Sequence, residues 1–403
     1  MLMSFGLLLL VGLSMASICQ KIKLPRIIGM LLSGVVLGPF VLDLISPSIL
    51  NISSDLRKIA LIIILIKAGL SLDISDLKKV GRPAVLMAFL PACFEIIAYL
   101  IFAPLIFGIT QIEALLMGSV LAAVSPAIVV PRMVNLIEKK YGTDKSIPQL
   151  ILAGASCDDV FVIVLFSTFT TMALGQGVQV SDFLNVPVSI VLGVFVGVMV
   201  GILLSVFFEH YYNKKSHIRN AVKVIIMLAI SLILTAAEDL TTIPFSGLLA
   251  VISMACAYKI KSSPIVVTAL SQKFGKLWII AEIILFVLVG ATVDITYLLS
   301  TGISAMIMIF IGLVIRTIGV VFSLIGSNLS LKECVFCTLA YLPKATVQAA
   351  IGAVPISLGL PCGNLILSLA VLSIVITAPL GAIAMDYSYK KLLENNNSKE
   401  ILS

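Results

Sequence analysis

Ser156-Cys157-Asp158-Asp159-Val160 lies inside an apolar run, residues 147–174. A charged side chain at mid-bilayer costs roughly 2.5–3.5 kcal/mol on insertion scales. Two neighbouring carboxylates in such a run therefore need a purpose, and the purpose such groups usually have is an ion or proton site. Carboxylate oxygens are hard ligands that suit small hard cations. Asp159 is the candidate carrier. Burial and a nearby cation act in opposite senses on its proton affinity, and a balance near neutral pH lets protons and cations compete for one site. Asp158, one residue earlier, projects about 100° away around the helix. It is expected in a paired, supporting role, with Lys344 or a donor from a broken helix as its partner. The hydroxyls of Ser125 and Thr346, together with freed backbone carbonyls near Ser125, complete the candidate ligand set.

Other intramembrane charges need partners as well. Glu95 and Arg316 are each isolated and deep in their runs, and neither is tolerable unpaired, so an ion pair between them is expected. Arginine stays charged at any working pH and can lock geometry without releasing a proton. Gln348 lies four residues after Lys344, on the same helical face, and can reach the same region. Lys67 is read as a snorkelling residue near a span end. Asp73, Asp294 and the pair Glu238-Asp239 are read as groups at helix ends or in loops.

The elements that carry these groups follow from composition. Of 403 residues, 60% are hydrophobic and 12% charged, and mean hydropathy is +1.18. Continuous apolar stretches without strand-like alternation predict an all-α polytopic membrane protein. Thirteen spans are expected, near 2–19, 27–45, 57–72, 84–107, 112–136, 147–174, 185–209, 221–238, 243–258, 274–292, 302–326, 331–355 and 363–386. The first lacks a basic leading segment and a small-residue cleavage site, and is expected to be a retained helix. Of the 27 basic residues, 22 fall in odd-numbered loops or the C-terminal tail and only Arg57 and Lys58 in even-numbered ones. The positive-inside rule then puts the N-terminus outside and the C-terminus in the cytoplasm. The net charge of +7 is thus a topology signal and gives no reason to expect nucleic acid as a partner.

The chain also repeats itself. At an offset of about 218 residues, Leu121-Ala-Ala-Val-Ser-Pro-Ala127 faces Leu339-Ala-Tyr-Leu-Pro-Lys-Ala345. Gly69…Asp73-Ile74 faces Gly290…Asp294-Ile295, Pro25…Gly29 faces Pro244…Gly247, and Leu150-Ile-Leu faces Leu365-Ile-Leu. Spans 2–6 and 9–13, about residues 24–174 and 243–388, are expected to be duplicates. Seven spans separate them, so the copies are inverted, as in many secondary transporters. Span 5 carries Pro126 and Pro131, and span 12 carries Pro343 and Pro355. Proline removes a backbone donor and clashes with the preceding turn, so both spans are expected to break near Pro126 and Pro343 and to cross. Lys344 is placed to balance the carbonyl ends of the broken helices.

The seven cysteines, including Cys334-x-x-Cys337, read as small apolar residues of spans. His210 and His217 read as solvated loop histidines. An intramembrane aspartyl protease needs its two aspartates on facing helices, whereas these are neighbours on one, so the chain is not read as an enzyme. A channel fits poorly with inverted, interrupted repeats. No G-x-G-x-x-G follows a strand, so no nucleotide-binding domain is expected, and no soluble domain.

Three longer motifs, Ala123-Val-Ser-Pro-Ala-Ile-Val-Val-Pro131, Ala155-Ser-Cys-Asp-Asp-Val160 and Leu342-Pro-Lys-Ala-Thr-Val-Gln-Ala-Ala350, resemble the cation/proton antiporter superfamily. Within it they are most similar to the NHA-type sodium/proton antiporters. Ala68-Gly-Leu-Ser-Leu-Asp73 and Leu24-Pro-Arg-Ile-Ile-Gly29 are shorter echoes, and the similarity runs from about residue 20 to 385. The resemblance implies a homodimer in the plasma (inner) membrane. In it, spans 4–6 and 11–13 form a moving core and the remaining spans a scaffold. It implies Na+ or Li+ bound at Asp159 in exchange for H+, with no cofactor beyond the transported ions. The family's bacterial members with the aspartate pair usually carry lysine where span 11 here has Arg316, so proton stoichiometry stays open. A potassium/proton exchanger and a sodium-coupled symporter of organic anions are the alternatives.

Overall fold

A backbone crossing lipid must satisfy its own hydrogen bonds, which a helix does within a single segment. The computed structural model describes residues 1–22, 24–71, 81–175, 180–213, 218–240 and 245–395, and its described elements are helices. The one strand-like feature among them is an isolated bridge, Tyr141 to Asn395. Among the described residues, nine helices are long and apolar enough to cross a membrane. The four other expected segments also carry helices, either shorter or richer in charge, which is compatible with thirteen spans. Asp73, Pro244, His217 and the basic residues Lys23, Lys78, Lys79, Lys214, Lys215 and Lys399 lie outside the described residues.

One compact unit comprises residues 1–51, 73–174 and 286–403. It opens with α1 (Leu2–Lys21), α2 (Arg26–Leu37) and the short α3 (Pro47–Asn51). Next come α5 (Arg82–Met87), α6 (Leu90–Phe107), α7 (Gln111–Leu121), α8 (Pro126–Glu138) and α9 (Ile147–Ala173). Its last part is α14 (Ile295–Leu324), α15 (Leu331–Ala340), α16 (Thr346–Ile351), α17 (Val354–Ser357) and α18 (Gly363–Leu392). Helix α6 packs along α14, and α9 lies against both α7 and α8. Helix α18 touches α14, α15 and α16. The close approach of α6 and α14 needs Gly319, where a Cβ would stand 2.9 Å from Pro91 Cα.

The second unit comprises residues 52–72 and 175–285. It holds α4 (Ser53–Ser71), α10 (Val180–Asn213), α11 (Asn220–Leu240) and α12 (Gly247–Lys261), plus most of α13 (Pro264–Ala291). Helix α12 is its hub and packs against α4, α10 and α11.

Two expectations change. The second span is helical only to Leu37, and Gly38–Ser46 continues without helix. Lys273 and Lys276 are not loop residues: α13 starts at Pro264 and runs 28 residues, about 42 Å, so both sit within it, in its third and fourth turns, where they are exposed. Pro131 lies inside α8, which continues through it to Glu138.

Candidate functional site

The fifth and twelfth segments are each built from two half-helices. Both start with the same device, a capping box in which a hydroxyl and a glutamate satisfy each other's backbone N–H groups. In α7, Thr110 N donates to Glu113 Oε2 at 2.8 Å and Glu113 N to Thr110 Oγ1 at 3.3 Å. In α15, Ser330 N donates to Glu333 Oε2 at 2.7 Å and Glu333 N to Ser330 Oγ at 3.4 Å. Helix α7 ends at Leu121 and α15 at Ala340, and the chain leaves the helix over 122–125 and 341–345. Pro126 sits at the first position of α8, where its missing N–H is not needed, so the interruption precedes it; Pro343 lies within the second interruption.

The two interruptions touch. Ser125 N donates to Pro343 O at 2.8 Å, and Lys344 N donates to Thr377 Oγ1 of α18 at 2.9 Å. Gly381 makes room for this, since a Cβ there would run into the Pro343 ring.

Ending two helices in mid-membrane leaves carbonyl groups without partners and two negative dipole ends. Arg316 and Lys344 answer both problems. Arg316, 1% exposed, donates Nε to Tyr341 O at 3.0 Å, and its Nη1 also reaches Ala122 O. The same guanidinium grips two acids, Glu95 Oε2 through Nη1 at 3.0 Å and Asp158 Oδ2 through Nη2 at 3.0 Å. Lys344 Nζ lies 2.6 Å from Glu95 Oε1 and 2.8 Å from Oε2, and it also donates to Leu121 O. Asp158 Oδ2 accepts a further hydrogen bond, 2.8 Å, from Val124 N in the first interruption. Glu95, Asp158, Arg316 and Lys344 are all buried. Two anions against two cations make this cluster formally neutral.

Asp159 is not part of that cluster. It is half-buried on α9, and its Oδ1 is buried without a hydrogen-bond partner. Among the other buried oxygens in the same condition, which include Tyr99 Oη and Gln149 Oε1, are Asp158 Oδ1, Ser125 Oγ, Thr346 Oγ1 and Gln348 Oε1. Oxygen atoms from acids, hydroxyls and an amide are the donor set that suits a small hard cation.

Residues 6–385 match the protein family described as sodium/hydrogen exchanger, transmembrane. The chain belongs to that family. It is 32% identical to human sodium/hydrogen exchanger 9B2 over 390 residues, 92% of this chain and 70% of that protein. The Xenopus tropicalis 9B2 exchanger is 33% identical over 360 residues, 87% of this chain and 66% of that protein. The chain thus spans about two thirds of the length of these relatives. Among solved structures, the sodium proton antiporter MjNhaP1 from Methanocaldococcus jannaschii at pH 8 has the same fold, with a TM-score of 0.83 and 21% identity. The match covers 96% of this chain and 97% of that one. The chain is accordingly a multi-pass membrane transporter and not an enzyme.

Asp158 in this exchanger is held by Arg316 and by Val124 N of the interruption, whereas Lys344 takes Glu95. Lys344 or a broken-helix donor was expected for Asp158: Val124 N is such a donor, but the cation is Arg316 and Lys344 goes to Glu95, because the pairing depends on how each helix is rotated about its axis. The sequence placed Lys344 against the carbonyl ends of the broken helices but did not name Leu121, Ala122 and Tyr341 as the acceptors or Arg316 as a second donor to them. The two capping boxes, Thr110-x-x-Glu113 and Ser330-x-x-Glu333, were also missed, although their spacing is a signal that could have found them.

Proposed function

We propose that this exchanger trades Na+, or Li+ in its place, for H+ by alternating access, with Asp159 as the carboxylate loaded by either species. One observation carries the reading: the fixed charges close on themselves at zero and leave Asp159 outside. An ionised Asp159 is then an excess charge in a low-dielectric setting, and neutralising it takes a proton or a metal ion. Ser125, Thr346 and Asp158 Oδ1 complete the cation's shell. The Glu95–Arg316 pair and Lys344 hold the two interruptions in register while the site changes access. Loading by one cation or one proton leaves the occupied site with the same charge.

The reading extends to the assembly. The matching caps at Thr110 and Ser330 support spans 2–6 and 9–13 as inverted repeats. Spans 4–6 and 11–13 are the moving core of a homodimer, and the other spans are the lipid-embedded scaffold. The distribution of basic residues supports an N-terminus outside and a C-terminus in the cytoplasm of the plasma membrane. Ion gradients drive the exchange, and no cofactor is required.

The test is dequenching of a pH-sensitive dye in acid-loaded proteoliposomes on addition of Na+, Li+ or K+. Wild type responds to Na+ and Li+ and Asp159→Asn to neither. Wild-type-like exchange in Asp159→Asn removes Asp159 from the role. A response to K+ alone gives the function to a potassium/proton exchanger.

A further inference from the structure

The side chain of Gln348 is buried in α16 and its amide is tied to the first interruption. Its Nε2 donates to Ala123 O at 2.8 Å and lies 3.4 Å from Leu121 O. Both neighbours are carbonyl oxygens, so the amide can only face them with its NH2 end. Ala123 O and Val124 N belong to one peptide group. Gln348 therefore holds that peptide by its carbonyl while Asp158 Oδ2 holds it by its N–H, at 2.8 Å. Gripped from both ends, the peptide plane cannot rotate. The next residue in the chain is Ser125, whose unpartnered Oγ belongs to the candidate ion shell and whose N is bonded to Pro343 O.

We propose that Gln348 is a positioning residue of the ion site: through the Ala123–Val124 peptide it fixes both the Val124 donor on Asp158 and the placement of the Ser125 hydroxyl. The inference rests on the proposed cation/proton exchange at Asp159 and names a determinant of how well that site fits its ion. A plain contact between helices would be satisfied by any group that fills the volume. A clamp on a peptide requires a donor of this length. Methionine matches glutamine in length and shape but donates nothing, and asparagine keeps the amide one methylene too short. Either change frees the peptide plane, loosens the shell around the cation and blurs discrimination between ions of different radius. Removing a group that orients a ligand typically weakens metal binding by about 10–100-fold.

The experiment measures initial exchange rates in proteoliposomes for wild type, Gln348→Met and Gln348→Asn against Na+ and Li+. Thermal melting reports folding. The expected result is a KM for Na+ raised about tenfold in both variants, a kcat within about twofold of wild type, and an altered ratio of the Li+ and Na+ KM values. Folded variants with wild-type KM values and an unchanged ratio overturn the proposal. So does a drop in kcat alone. Failure of both variants to fold overturns it too, because the residue is then structural. Absence of exchange in wild type would instead defeat the proposed function, and so the two failures are distinguishable.

Discussion

Removing the charge of Glu95 tests the neutral cluster directly. Glu95 receives both cations, Arg316 at 3.0 Å and Lys344 at 2.6 Å, in a site closed to solvent. Glu95→Gln keeps the volume and leaves Arg316 and Lys344 against Asp158 alone, a net charge of about +1 by the bookkeeping of buried pairs. Breaking one partner out of a buried ion pair costs about 3–5 kcal/mol, mostly for the charge left behind. Arg316→Met leaves the opposite imbalance. It also strips the carbonyls of Ala122 and Tyr341 of a donor, at about 1–3 kcal/mol for each buried group left unsatisfied. The double variant Glu95→Gln/Arg316→Met returns the cluster to neutrality with Asp158 and Lys344 paired in charge. It should recover about 2 kcal/mol relative to the sum of the single losses. Thermal melting in detergent, followed by fluorescence-detected size exclusion, should rank wild type above the double variant and the double variant above Arg316→Met. Strictly additive losses would show that Glu95 and Arg316 are not energetically coupled and that the cluster is a coincidence of geometry.

Three other outcomes follow from the same structure. Ser125→Ala and Thr346→Ala should each raise the KM for Na+ by about tenfold, equivalent to about 1.4 kcal/mol of lost ion binding, and unchanged KM values in flux assays would exclude both hydroxyls as ligands. Asp386→Asn should shift the melting temperature very little: the Arg132–Asp386 pair is well formed at 3.0 Å, but its side chains are 27% and 55% exposed, and such surface pairs contribute about 0–1 kcal/mol. On the proposed loading of Asp159 by one cation or one proton, initial exchange rates should be the same with and without an imposed membrane potential; moving a net charge would couple at about 2.3 kcal/mol per 100 mV, and a clear voltage response in potassium-clamped vesicles would refute one-for-one exchange.

What could be read in the sequence was whatever lipid forbids. Glu95, Arg316, Lys344, Asp158 and Asp159 stand out because an apolar run makes each of them expensive. Pro126 and Pro343 stand out because proline cannot continue a membrane helix without leaving a backbone group unpaired. The cationic partner of Asp158 did not stand out: Lys344 or a broken-helix donor was expected, and Arg316 takes the place of Lys344 once α14 and the second interruption are placed in space. Backbone acceptors could be expected as a class, the carbonyl ends of the broken helices, but not residue by residue, since Leu121, Ala122 and Tyr341 enter through carbonyl oxygens that every residue has. A span start was misplaced in α13, which begins ten residues before the expected one, because exposed lysines within a helix look like a loop in sequence. The peptide grip of Gln348 is legible only in three dimensions, as it links residues more than two hundred positions apart.

The central claim is that one carboxylate, Asp159, is shared by the cation and the proton. The most direct measurement counts protons released when Na+ is added to purified protein in weakly buffered solution, alongside heat of binding. One proton per subunit should appear for wild type, and apparent Na+ affinity should fall as pH is lowered through the site's titration. Asp159→Asn should bind no Na+ and release nothing. Sodium binding without proton release, or an undiminished release from Asp159→Asn, would contradict the claim.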